Sequence, residues 1–202
     1  MGLELVLSLV LLVIAVAQLA VLPVPDRPGP PLGVPVPTTP VVTAAEAQRA
    51  DSDLPRFIPE RMSLAGGESA TVVPVATVGR QLVIQEDPGK VGWWDGSSYV
   101  GDPNGSTVIA GHVDTLDRGL GYFFQLWNAR VGERVVLSAG DHRQAYTITR
   151  VRQDPRTDLV NDDEAFDIDG PPRLVLITCA GEFRPDRGGY SRNLVVVARP
   201  VS

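Results

Sequence analysis

Beyond Pro55 the apolar positions fall in short runs rich in Val, Ile and Thr, separated by Gly, Pro, Asn and Asp. Nowhere do they hold the 3.6-residue period of a long amphipathic helix. The runs predict strands over residues 56–63, 70–75, 81–84, 106–111, 134–137, 144–152, 174–178 and 194–198. Turn chemistry such as Pro103-Asn104-Gly105 and Gly140-Asp141 bounds them. Two short helical turns are expected near residues 122–127 and 161–166, the second opened by an Asn or Asp cap. About eight short strands in one domain favour an all-β fold, a closed or nearly closed β-barrel, with a sandwich as the alternative.

Two runs break the alternation. Leu174-Val175-Leu176-Ile177 and Leu194-Val195-Val196-Val197 are apolar at every position, as in strands buried on both faces. Each has a chemically loaded residue at one end: Thr178-Cys179 follows the first and Arg192 precedes the second. If the two strands run antiparallel, those ends meet.

The N-terminus follows other rules. Residues 5–22 read LVLSLVLLVIAVAQLAVL, with only Ser8 and Gln18 polar. As a helix this run spans roughly 27 Å, just enough to cross a hydrocarbon core. A retained signal-anchor is the expected reading, which places residues 23–202 outside the membrane. A signal peptide cleaved after Ala15-Val16-Ala17, giving a secreted protein, is the alternative. Glu4 is the only charge before Asp26, so the flanking charges give no orientation. Residues 23–40 then carry eight prolines in eighteen positions. That density enforces extended polyproline II, so residues 23–54 are expected to form a stiff extracytoplasmic linker ahead of a domain over 55–202.

Composition narrows the partners. A net charge of −6 and a pI near 4.9 argue against nucleic acid, which calls for a basic face. Hydrophobic residues make up 44% of the 202, enough for a packed core. A single cysteine excludes an internal disulfide. In an exported protein a lone thiol is either a small buried hydrophobe or a reactive group.

Thiol-based acyl transfer needs a nucleophile, an imidazole to protonate the leaving amine and a donor for the oxyanion. The chain offers Cys179 and two histidines. His142 sits on a polar hairpin tip, the usual place for a solvated side chain. His112 ends an apolar strand and precedes Asp114, which makes it the better partner for Cys179. Asp114 either orients His112 or caps a turn. Thr178 either donates through its hydroxyl to the oxyanion or packs as an ordinary strand residue. No acidic cluster reads as a calcium site, and neither metal nor cofactor is expected.

The segments Thr107-Val108-Ile109-Ala110-Gly111-His112-Val113-Asp114, Leu176-Ile177-Thr178-Cys179 and Gly189-Tyr190-Ser191-Arg192-Asn193-Leu194-Val195-Val196-Val197-Ala198 resemble the signature blocks of sortases. Val91-Gly92-Trp93-Trp94 and Ala180-Gly181-Glu182-Phe183 make the likeness strongest to the class F sortases of actinobacteria. The resemblance spans about residues 56–202. It implies an eight-stranded sortase-type β-barrel and a cysteine transpeptidase of the cell membrane. Such an enzyme cleaves an LPXTG-like C-terminal sorting signal and passes the protein to a peptidoglycan precursor or stem-peptide amine. Carried over residue by residue, Cys179 is the nucleophile, His112 the acid/base and Arg192 the charge stabiliser. A monomer is expected.

The match has departures. Val175 stands where many sortases carry Thr. Arg192 lies directly before Asn193, whereas related sequences place the arginine one position earlier, here Ser191; in a strand one position reverses the side-chain direction. Arg184 and Arg187 are the fallbacks. Trp93, Trp94, Tyr122, Phe123 and Phe124 read as core or loop anchors. Asp158, Asp162, Asp163, Glu164, Asp167 and Asp169 read as a solvated loop, or else as a reader of basic groups. Two other classes compete. Papain-like peptidases place Cys before His, and L,D-transpeptidases carry a His near the nucleophile, which Cys179 lacks. A binding barrel with an inert thiol predicts that Cys179→Ala keeps ligand binding.

Overall fold

The computed structural model describes residues 55–201, apart from 66 and 80. The expected N-terminal helix and the Pro-rich linker lie outside the described residues. Among the described residues no helix is long and apolar enough to cross a membrane.

Among the described residues twelve strands are formed: β1 Arg61–Leu64, β2 Ser69–Val75, β3 Thr77–Val78, β4 Gln81–Leu82, β5 Val91–Trp94, β6 Ser106–Ala110, β7 Asp114–Thr115, β8 Gly119–Leu120, β9 Arg134–Ala139, β10 His142–Pro155, β11 Arg173–Arg184 and β12 Gly189–Pro200. Eight of them close a barrel in the order β1-β2-β5-β6-β11-β12-β10-β9, sealed by antiparallel pairing of β1 with β9. The pairs β2/β5 and β6/β11 are parallel, which requires the chain to cross over between them.

The barrel count matches the expected eight, but its membership differs. Residues 81–84 do not join the barrel; Gln81–Leu82 pairs only with β3 in a two-stranded sheet. Val91–Trp94 takes the place instead. That run is only four residues long and is interrupted by Gly92, which weakens a strand despite the favourable Val and Trp. Packing explains the glycine, because a Cβ there would come 2.7 Å from both methyls of Val75. The first strand begins at Arg61 and not at residue 56; Phe57 makes only an isolated bridge to Val100.

The uniformly apolar runs are indeed buried on both faces. Leu174, Leu176, Leu194, Val196 and Ala198 point into the barrel with Trp93, Ile109 and Phe123. Val175, Ile177, Val195 and Val197 point outward beneath a second layer formed by Trp94, Leu159, Ala165 and Phe166. That layer includes the helix α1, Asp163–Phe166, whose first turn is capped by Asp162 accepting from the Ala165 N–H at 3.1 Å. The other expected helical turn is a 3-10 segment, Tyr122–Asn128. Trp93 and Phe123 are core residues, and the Tyr122 hydroxyl bonds to backbone near β1 and β2. The acids of residues 158–169 are partly spent inside the fold: Arg150 pairs with Glu164, Arg152 with Asp162, and Arg173 with Asp167.

Candidate active site

β11 and β12 run antiparallel, so the two loaded strand ends do meet. Cys179 stands opposite Asn193, and Ala180 opposite Arg192. Residues directly opposite in a sheet share a face, and successive residues alternate. Cys179 therefore lies on the outer face with Ile177 and Val175. It is half-buried, at the point where the apolar run gives way to the exposed Gly181-Glu182-Phe183.

His112 reaches the same place from β6. The parallel pairing ends with Ala110 opposite Ile177. The Gly111 N–H continues it by donating to the Ile177 carbonyl at 3.1 Å. Carried one residue further, that register sets His112 beside Cys179 on strands about 4.8 Å apart. His112 is half-buried, and its backbone is crowded by Gly121, which leaves no room for a Cβ against the His112 carbonyl.

Thr178, Asp114 and Arg192 each make contacts of their own. The Thr178 hydroxyl is buried and donates to the Gly111 carbonyl at 2.8 Å, so it locks β11 to β6. The Asp114 Oδ2 accepts from the Tyr190 hydroxyl at 2.7 Å, tying β7 to β12. Arg192 is exposed, on the face opposite Cys179, and its Nη1 donates to the Gln153 carbonyl at 3.4 Å. His142 is exposed at the hairpin tip, where its ring stacks on Phe57.

Four further neighbours of the site, Trp127, Tyr190, Phe183 and Arg156, receive no role from the sequence reading. The Trp127 indole N–H donates to the Cys179 carbonyl at 3.2 Å. Trp127 meets Tyr190 edge to face, and Tyr190 meets Phe183 the same way, which makes an aromatic ledge beside the thiol. Arg156 acts on the thiol by its charge. Burial pushes the Cys179 thiol above its ordinary value, the Arg156 guanidinium pulls it back, and Asp114 adds to the rise. Tyr190 is pushed up to about 12 by burial and by its bond to Asp114, so it remains a proton donor at neutral pH. Among the described residues no cluster of three or more His, Cys, Asp or Glu is arranged to hold a metal ion.

Comparison with known proteins identifies the family. The Sortase domain model matches residues 67–201. No curated protein matches the chain in sequence. Sortase C1 of Streptococcus agalactiae superposes with a TM-score of 0.55 at 19% identity, over 79% of this chain and 77% of its own. Sortase A of Corynebacterium diphtheriae gives 0.55 at 15%, over 79% and 70%. Sortase C-1 of Actinomyces oris gives 0.55 at 22%, over 70% and 71%. At such low identity these structures speak for the fold, while the domain model covers most of the chain. The chain belongs to the sortase family, and is a cysteine transpeptidase of the kind that sorts proteins to the cell wall.

Proposed function

We propose that this sortase cleaves an LPXTG-like sorting signal between Thr and Gly through a thioacyl intermediate on Cys179, and then transfers the acyl group to a cell-wall amine. The observation that carries the reading is the parallel register of β6 and β11, which ends at Ala110 opposite Ile177 and, continued through the Gly111 N–H, sets His112 beside the half-buried Cys179.

Because burial raises the thiol, the reactive form is a minority thiolate beside a protonated His112. The thiolate adds to the Thr carbonyl carbon, and the carbonyl electron pair moves onto oxygen. When that pair returns, the C–N bond breaks and His112 gives its proton to the departing glycine amine. An incoming amine then attacks the thioester, surrenders a proton to His112 and releases the thiolate. Water replaces the amine slowly.

The finer assignments belong to the same proposal. The class F likeness rests on Val91-Gly92-Trp93-Trp94 and Ala180-Gly181-Glu182-Phe183. The apolar residues 5–22 anchor the chain in the cell membrane, and the proline-rich linker sets the domain off from it. The acceptor is a peptidoglycan precursor or stem-peptide amine. The test is incubation with a quenched Leu-Pro-X-Thr-Gly peptide library and an amine acceptor, followed by mass spectrometry. A covalent acyl adduct on Cys179 and an amine-capped product are expected. Absence of both for every peptide refutes the reading.

A further inference from the structure

Cys179 belongs to a row of residues that runs across the sheet from strand to strand. It stands directly opposite Asn193 on β12, and Asn193 stands directly opposite Asp154 on β10. On its other side the continued β6 register sets His112 beside it. Ala110, Ile177 and Val195 lie two residues from His112, Cys179 and Asn193, and all three pack in the outer layer. Side chains two apart on a strand share a face, so the imidazole, the thiol and the carboxamide all leave the sheet outward. The thiol is thus flanked by His112 on one side and by Asn193 on the other. Directly opposed residues hold their Cβ atoms about 5 Å apart, which puts the carboxamide within reach of anything bonded to the sulfur.

Asn193 is a polar residue in an apolar place. It is 9% exposed and adjoins the fully buried run 194–197. A buried carboxamide ordinarily finds hydrogen-bond partners, yet that of Asn193 has none among the described residues. Nor is it sealed inside the protein, so a bound substrate can meet it. Other donors around the thiol are committed. The Thr178 hydroxyl donates to the Gly111 carbonyl, the Trp127 indole to the Cys179 carbonyl and the Tyr190 hydroxyl to Asp114. On the far flank of Asn193, the Asp154 carboxylate is ion-paired with Arg152.

We propose that the Asn193 side-chain amide donates a hydrogen bond to the acyl carbonyl oxygen while Cys179 attacks, as a catalytic residue of the transfer. The assignment rests on the transpeptidase reading above. Addition of the thiolate makes the carbonyl carbon tetrahedral, with the oxygen and the departing nitrogen on separate corners. With the sulfur between the two flanks, His112 serves the nitrogen and Asn193 the oxygen. The carbonyl electron pair moves onto oxygen, where the Asn193 N–H stabilises it without giving up its proton. When the pair returns, the C–N bond breaks and His112 protonates the amine.

The test compares N193A and N193L with the wild-type enzyme, each checked for an intact fold by its urea midpoint. Leucine keeps a branched side chain of similar shape, which guards against a failure of N193A to fold. Three rates are measured: turnover of a cleaved sorting peptide, acetylation of Cys179 by 4-nitrophenyl acetate, and alkylation of Cys179 by iodoacetamide. Both variants are expected to lose about 10²-fold in kcat, the usual cost of removing one oxyanion donor. KM should be unchanged, because the bond forms only in the transition state. Acetylation passes through the same oxyanion and should slow as well. Alkylation displaces iodide and puts no charge on a carbonyl oxygen, so it should keep the wild-type rate. An unchanged kcat overturns the proposal, and so does a rise in KM alone. Alkylation that slows as much as turnover overturns it too, since the thiol and not the oxyanion is then disturbed. If the wild-type enzyme turns over no sorting peptide, the transpeptidase reading fails, and the acetylation comparison still decides the role of Asn193.

Discussion

The Tyr190 hydroxyl donates to the Asp114 carboxylate at 2.7 Å, joining β12 to the strand that begins two residues after His112. This bond fixes the segment carrying the imidazole against the sheet that carries the thiol. Burial and the Asp114 charge hold the phenol protonated, so the bond persists across the working pH range. Replacing Tyr190 with Phe keeps the aromatic ledge and removes one hydrogen bond to a charged group, which costs about 2 kcal/mol at most. Y190F is expected to lower kcat/KM by about tenfold, the equivalent of 1.4 kcal/mol, with a Tm change of only a few degrees. Unchanged turnover would separate this bond from catalysis.

The thiol should titrate late. Burial is the largest influence on Cys179 and raises it, and an acid so raised is less ionised at any given pH. The second-order rate of alkylation by iodoacetamide should therefore still be climbing above pH 8.5, where a free thiol is half ionised. Transpeptidation should rise with pH over the same range as thiolate forms. An alkylation rate that levels off near neutrality contradicts the assignment.

Gly121 is needed for space. A Cβ at this position would overlap the His112 carbonyl and come 3.1 Å from the Pro88 carbonyl. Backbone atoms cannot swing aside as a flexible side chain does, so G121A must displace the His112 segment. The expected result is a loss of about 1–3 kcal/mol in denaturant unfolding. Turnover should fall more than tenfold, while alkylation of Cys179 proceeds at its normal rate.

Arg173 pins the acidic loop to the start of β11. It is 5% exposed and donates to the Pro171 and Glu164 carbonyls and to the Asp167 carboxylate at 3.0, 2.8 and 3.0 Å. Methionine keeps much of the volume but leaves those acceptors without a donor. Asp167 is 34% exposed and recovers some hydration, so R173M should cost about 2 kcal/mol, below the cost of breaking a fully buried pair. A lowered urea midpoint with an unchanged m-value is the expected measurement. No change in midpoint would mean that water satisfies these acceptors.

The strongest local signals survived folding because they report local physics. The fully apolar runs 174–177 and 194–197 became strands buried on both faces, and the Asn/Asp cap before residue 163 opens a helical turn. Where the sequence misled, a non-local contact had decided. Val91–Trp94 is short and broken by a glycine and still enters the barrel, because Gly92 lets β5 lie against Val75. Residues 81–84 have the better pattern and are left out, because β3 alone offers them a partner.

The order of His112, Cys179 and the apolar run after Arg192 was enough to reveal the family, since each block is a short strand whose identity depends on its own residues. Which side of the sheet each charge occupies was not legible. Alternation ties a side chain's direction to the pairing register, and register is set by partners more than thirty residues away, as Gln153 is from Leu194. Only the folded barrel decides which face each charged side chain takes beside the thiol.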